Sequence, residues 1–368
     1  MNSYKPSILS LLLFTIYFIT LSCAQTNKQK SKLQSQKASK WTQKQAQDWA
    51  ETQPWLRGAN FNPSTAINQL EFWQAETFDP TTINRELEWA EDIGLNCMRV
   101  YLHHVAWEID KEGFKSRMKE YLSIADKHHI STIFVFFDDC WNPTYNAGKQ
   151  PDPRPGVHNS GWVRDPGDLL FTETNLTLVL ETYVKDILKT FEKDDRIILW
   201  DLYNEPGNSG YGNRSMPLLQ NVFKWAREVN PSQPISAGVW NYHLTDLNKF
   251  QLENSDIITY HNYNDEVNHQ EMIDTLSKHN RPMICTEYMA RRNNSLFSNI
   301  MPILKAQNIG AINWGLVAGK SNTKYAWDEP IPDGSEPELW FHEIFRKDGT
   351  PYKQEEVDLI KRLTSENK

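Results

Sequence analysis

The stretch Leu176–Pro206, LTLVLETYVKDILKTFEKDDRIILWDLYNEP, carries two different apolar rhythms in succession. In its first half Leu180, Tyr183, Ile187, Leu188 and Phe191 recur at steps that put them on one face of a helix. The charged break EKDDR follows, and Ile197–Tyr203 is then a short apolar run of strand length. The run stops abruptly at the polar Asn204-Glu205-Pro206. A helix with one apolar face feeding a buried strand is half of a βα repeat, and such repeats build parallel sheets.

The same alternation runs through the chain from Trp55 onward. Eight strands are expected: Leu56–Phe61, Asn96–Leu102, Ser131–Phe137, Ile197–Tyr203, Ile235–Trp240, Ile257–Asn262, Met283–Thr286 and Gly310–Gly315. Helical patterns separate them. Thr82–Ile93 places Ile83, Leu87, Ala90 and Ile93 on one face, and Asp79-Pro80 and Asn230-Pro231-Ser232 are helix boundary signals. Eight strands alternating with helices are what a closed (β/α)8 TIM barrel requires, and 368 residues suit one such α/β domain. The segment Asp138–Asp168, with Pro143, Pro151, Pro153, Pro155 and Pro166, is long for a connection and is expected to form a stiff wall above strand three.

The remaining chain divides simply. Residues 1–24 have a basic start at Lys5, an apolar run Ile8–Leu21 and small residues Ser22-Cys23-Ala24, the layout of an export signal. Cleavage after Ala24 would release a soluble protein, whereas cleavage before Cys23 would leave a lipid anchor, the only membrane link expected. The destination is then periplasmic, secreted or an outer-membrane lipoprotein. Residues 25–50 read as a Gln/Lys-rich linker running into a short helix near Trp41–Trp49, and residues 51–368 as a single catalytic domain. Net charge is −8 with no basic patch in the domain, which argues against a nucleic-acid partner. Cys97, Cys140 and Cys285 are odd in number and lack framework spacing, so reduced thiols are expected rather than a disulfide. The 14 Trp exceed what a core of this size needs and suggest flat platforms of the kind on which sugars stack. Trp41, Trp49, Trp73, Trp89 and Trp225 read as packing or surface residues, and a monomer is expected.

Active sites of such barrels lie at the C-terminal strand ends. Standing there are Asn60 and Asn62 on strand one; Arg99 on strand two, followed by His103 and His104; and Asp138, Asp139 and Trp141 on strand three. The later strands contribute Asn204 and Glu205, Trp240, His261 and Tyr263, Glu287 and Tyr288, and Trp314. Glu205 and Glu287 are 287 − 205 = 82 residues apart, three βα steps, so they face each other across the mouth. Two carboxyls so placed can sit at about 5 to 5.5 Å, the separation for double displacement at a sugar carbon. Taken singly, these residues have plainer readings. Glu before Pro is a common turn residue, Arg99 an ion-pair partner, His261 a satisfied core histidine, and Trp240 and Trp314 core residues. Their joint placement on one rim favours chemistry.

As a set, Gly94-Leu95-Asn96-Cys97-Met98-Arg99-Val100, Asn204-Glu205-Pro206, His261-Asn262-Tyr263, Thr286-Glu287-Tyr288 and Trp314 resemble clan A glycoside hydrolases, most closely family 5, over residues 55–345. The resemblance implies Glu205 as acid/base and Glu287 as nucleophile, with retention and without metal or organic cofactor. It further implies that Arg99 and Tyr263 hold the nucleophile, Asn204 binds the sugar 2-hydroxyl and Trp314 stacks on the ring. Asp139, Trp141, Trp240 and His261 complete the expected carbohydrate-binding set. Phe137-Asp138-Asp139-Cys140-Trp141 departs from the histidine that many members carry after strand three, and Tyr288-Met289 from the commoner Phe-Gly.

Two other readings compete. A metal-dependent barrel hydrolase could use His103, His104, Asp138, Asp139 and His261, but the His-x-His pair common after strand one is Asn60-Phe61-Asn62 here. A catalytically inactive carbohydrate-binding barrel would not need both glutamates. The expected substrate is a β-linked polysaccharide or oligosaccharide, with a lean towards endo action on a plant polysaccharide.

Overall fold

In the computed structural model the described residues are Met1 and 39–365. The expected export signal and most of the expected linker lie outside them. The compact unit that begins at Lys40 contains β1 Arg57–Asn60, β2 Cys97–Tyr101, β3 Ser131–Asp138, β4 Ile197–Asn204, β5 Ile235–Ser236, β6 Ile258–His261, β7 Met283–Glu287 and β8 Gly310–Trp314. Its α-helices are α1 Gln43–Thr52, α2 Gln69–Trp73, α3 Pro80–Asp92, α4 His104–Ile109, α5 Lys111–Lys127, α6 Leu169–Thr172, α7 Leu176–Phe191, α8 Met216–Val229, α9 Thr245–Asn254, α10 Glu266–Ser277, α11 Phe297–Ala306 and α12 Gln354–Ser365. None is long and apolar enough to cross a membrane among the described residues.

All eight strands are parallel in the order β5-β4-β3-β2-β1-β8-β7-β6. The seam between β5 and β6 is joined by the single bridge Val239–Tyr260, so the sheet forms a nearly closed (β/α)8 barrel. Strand five is the one expected strand that falls well short, leaving the ladder after Ser236 instead of reaching Trp240. Every residue of β2 and β4 is buried, as strands covered on both faces must be.

Local chemistry explains the helices that frame the barrel. Asp79 caps α3 by accepting from the Thr82 amide at 3.0 Å, with Pro80 in the first turn, where its missing N–H costs nothing. Ile83, Leu87 and Ala90 are its buried face. Helix α7 buries Leu180, Tyr183, Ile187, Leu188 and Phe191, and α8 stops at Asn230 in the left-handed conformation. Trp73 and Trp225 are core residues.

Helix α1 is the short helix expected near Trp41–Trp49, and it packs against the barrel body. Thr42 and Gln45 form a capping box, and Arg281 donates to the Trp41 carbonyl at 2.8 Å. Ala46, flanked by Trp41 and Trp49, packs on Leu56, Cys97, Ile133, Ile198, Ile257, Ile284 and Ile312. These belong to or adjoin the starts of seven strands, so α1 forms an apolar floor at the N-terminal end. The opposite end is left for polar groups.

Candidate active site

A cavity of about 810 Å³ opens at the C-terminal strand ends, and Glu205 and Glu287 both line it. Glu287 ends β7, where a register shift after Tyr260 sets His261 directly beside it. Glu205 follows β4 with φ +45, a left-handed conformation that costs a residue bearing a side chain on the order of 1–3 kcal/mol. The surroundings hold that turn in place. Gly207, also at positive φ, donates its amide to Asp139 at 2.8 Å, and Asp139 accepts further bonds from Tyr203 and Ser215.

Glu287 is held by strong donors. Its Oε1 accepts from Arg99 Nη1 at 2.8 Å and Tyr101 Oη at 2.9 Å, and its Oε2 from Tyr263 Oη at 2.8 Å. Arg99 is fully buried; it also donates to Asp201 at 2.8 and 3.0 Å, to Asn60 at 2.8 Å and to Asn204 at 2.7 Å. Glu205 has weaker company: the Cys140 thiol donates to Oε2 at 3.2 Å, Asn208 donates to the same oxygen, and His261 Nδ1 lies 2.8 Å from Oε1. His261 Nδ1 is also 3.4 Å from Glu287 Oε2. One oxygen of each glutamate and one nitrogen of His261 all fall within 4.8 Å of one another.

Burial raises both carboxyls above the ordinary range. Two carboxylates this close also resist ionising together, so the pair holds one proton through part of the pH range. Glu287 receives the Arg99 charge directly and two phenolic donors, which favour its anion. Glu205 has only a thiol, an amide and an imidazole, so the shared proton belongs on Glu205. Burial lowers His261 to about 4, leaving it neutral near pH 7. The Cys140 thiol is pushed well up and stays protonated, able to donate.

The structure brings together Glu205, Glu287, Asn204, His261, Tyr263, Trp141, Trp240 and Trp314 as lining residues, with Arg99 directly behind Glu287. Asp139 corrects one expectation. It points behind the Glu205 turn and is not among the lining residues, because successive extended residues face opposite sides. Cys140 lines the cavity instead, and Asp138 stands behind it, accepting from Asn204 at 2.9 Å and from Trp162 at 2.7 Å. Tyr101, Asp201, Cys140 and Asn208 are contributors that sequence reasoning missed. Tyr101 had a usable signal, since two residues beyond Arg99 on one strand means the same face.

The histidines after β2 serve the wall. His104 Nδ1 and its amide hold Asp165, while His103 contacts the Val105 amide and the Arg164 carbonyl. The atoms of His103, His104 and Asp165 lie close enough to hold a metal, as do those of Glu205, His261 and Glu287. Asp165 pairs back to Asp138 in an antiparallel bridge, so the long segment after β3 folds on itself and stands as the expected wall. Cys97 and Cys285 are buried free thiols.

A family model described as Cellulase (glycosyl hydrolase family 5) matches residues 68–320. No curated protein matches the chain. Among solved structures, an endo-β-1,4-mannanase from Thermotoga petrophila is 14% identical, with a TM-score of 0.53 over 84% of this chain and 76% of that one. GH5_18 from Streptomyces cattleya, solved with GlcNAc, is 10% identical, with a TM-score of 0.57 over 85% of this chain and 81% of its own. The exo-β-1,4-mannosidase Op5Man5 from Opitutaceae bacterium strain TAV5 is 16% identical, with a TM-score of 0.57 over 84% of this chain and 59% of that one. At these identities the likeness is one of fold.

Proposed function

The chain belongs to glycosyl hydrolase family 5, and from that premise we propose that it is a retaining glycoside hydrolase acting on an uncharged β-linked glycan, with Glu287 as nucleophile and Glu205 as acid/base. The observation that carries this reading is the separation of the two side chains. An oxygen of each lies within 4.8 Å of an oxygen of the other, close enough for both to grip one glycosidic linkage, as the roughly 5–5.5 Å carboxyl spacing of double displacement requires.

In the first step a Glu287 oxygen attacks the anomeric carbon as the glycosidic C–O bond breaks. Glu205 passes its proton to the departing oxygen. In the second step Glu205, now ionised, takes a proton from water, whose oxygen displaces Glu287 from the sugar. Arg99, Tyr101 and Tyr263 keep the attacking carboxylate ionised and aimed. Trp314 offers an apolar face to the ring. Among the described residues that line the cavity there is no Lys or Arg, the cation a uronate would call for, which supports a neutral sugar.

The test is the stereochemistry of the first product. Proton NMR of an aryl β-glycoside digest should show the β-anomer forming before mutarotation. An initial α-anomer would make the enzyme inverting and remove Glu287 from the nucleophile role.

A further inference from the structure

We propose that this enzyme works from a chain end, removing the sugar at the non-reducing terminus of an oligosaccharide rather than cutting within a polymer. The inference rests on the roles given above to Glu205 and Glu287, and it replaces the endo action leaned towards from sequence.

Those roles orient the substrate. The leaving oxygen must reach Glu205 on the β4 side, so the leaving part of the chain extends over the β4–β6 loops. The sugar that Glu287 attacks then lies away from Glu205, over Trp314 at the end of β8. Beyond Trp314 stands the buried Trp162 of the β3 wall, its ring 5.8 Å away and edge-on.

On this far side the loops are sewn together. The segment after β3 and the segment after β8 share Asn159 N to Ser321 O at 2.9 Å, Ile331 N to Gly156 O at 3.0 Å, Asn322 Nδ2 to Arg154 O at 3.0 Å, and His158 Nδ1 to Tyr325 O at 2.8 Å. The loop after β1 is tied in as well, through Asn68 Nδ2 to Gly161 O at 2.8 Å and Lys320 N to Ser64 O at 3.1 Å. No residue of the loops after β1 or β2 lines the cavity, which they would if a groove ran on in that direction. The opposite side differs. Ser209, Tyr242, His243 and Asn264 line it and are exposed, with the half-buried Trp240 at their base. The cavity is therefore blind towards the sugar being attacked and open towards the part that leaves. For a β-linked chain, the blind side receives the non-reducing end.

The experiment uses the full chain and hexasaccharides of β-1,4-linked mannose, glucose or xylose carrying a fluorescent tag at the reducing end, with aryl β-glycosides of the same sugars run in parallel. The expected result is a tagged ladder that shortens by one sugar at a time from the first time point. A hexasaccharide whose terminal non-reducing hydroxyls are capped as a cyclic acetal should stay intact. Tagged di- and trisaccharides as first products, or equal cleavage of the capped chain, would overturn chain-end action while leaving the glycosidase assignment standing. No turnover of any oligosaccharide or aryl glycoside would sink both. Gly156→Ala gives a second readout. Gly156 is outside the cavity lining, and an added Cβ would lie 1.7 Å from the Ile331 carbonyl oxygen, so the sewn loops must part. Mid-length tagged products should then appear in the digest; a ladder identical to wild type from a folded variant whose loops have separated, as read by proteolysis within 317–337, would count against the wall.

Discussion

Glu205 and Glu287 share a cavity and sit on equivalent strand ends, yet their settings differ in kind. Glu287 ends a strand, and a buried guanidinium and two phenols take both of its oxygens. Glu205 stands on a left-handed turn, with a thiol and a carboxamide on one oxygen and an imidazole on the other. Burial pushes both carboxyls the same way, so burial alone cannot assign their roles. The donors do: the Arg99 guanidinium brings a positive charge directly onto Glu287 and favours its anion, whereas the thiol, carboxamide and imidazole on Glu205 are neutral. An attacker needs that, and a proton donor needs the opposite.

The contrast breaks most visibly at the carboxyls themselves. Glu287→Ala should lower kcat with an activated aryl glycoside on the order of 10⁵-fold, in the range seen when a nucleophile is removed. Added azide should restore turnover by giving the α-glycosyl azide. Glu205→Ala should cost about 10²–10⁴-fold. That loss should shrink as the leaving group becomes more acidic, and azide should give the β-azide instead. Azide products of the same configuration from both variants would erase the distinction.

Next in size is the support beneath Glu287. Asp201→Ala leaves Arg99 buried beside one carboxylate fewer, and breaking such a pair costs about 3–5 kcal/mol. Denaturant unfolding should register that loss, and an unchanged midpoint would mean Asp201 contributes little to the guanidinium's position. The smallest effect should come from Cys140→Ala. The thiol donates to Glu205 and so lowers its pKa; removing it raises that pKa. Activity needs Glu205 protonated, so the alkaline limb of kcat/KM should move to higher pH, with a change in its plateau of no more than about tenfold, the worth of one hydrogen bond. A limb that moves to lower pH would show the thiol acting otherwise.

Sequence alone carried the barrel and most of the rim because each strand is an apolar run that stops at a polar residue. Glu205, Glu287, His261 and Trp314 stand where those runs stop. What escaped notice lies inside the runs or is set by backbone direction. Asp201 sits within a fully buried strand; an acid there demands a partner, but the chain does not say that Arg99 is it. Asp139 and Cys140 are neighbours, and which of them faces the cavity depends on how the chain leaves β3. Strand five ends sooner than its sequence suggests, because Ala237-Gly238-Val239-Trp240 continues an apolar pattern after the ladder has ended.

The apolar floor made by Trp41, Ala46 and Trp49 covers the N-terminal end of a barrel whose interior is already packed, so access to the carboxyls lies at the opposite end. With one flank walled by joined loops, the described residues leave the carboxyls a doorway over the β4–β6 loops. If the covalent step runs as proposed, the water that ends the cycle must arrive through the doorway by which the first product has just left. Any sugar that lingers there is both an obstacle to that water and its competitor, so the balance between hydrolysis and rebuilding a glycosidic bond is set by how long the departing fragment stays.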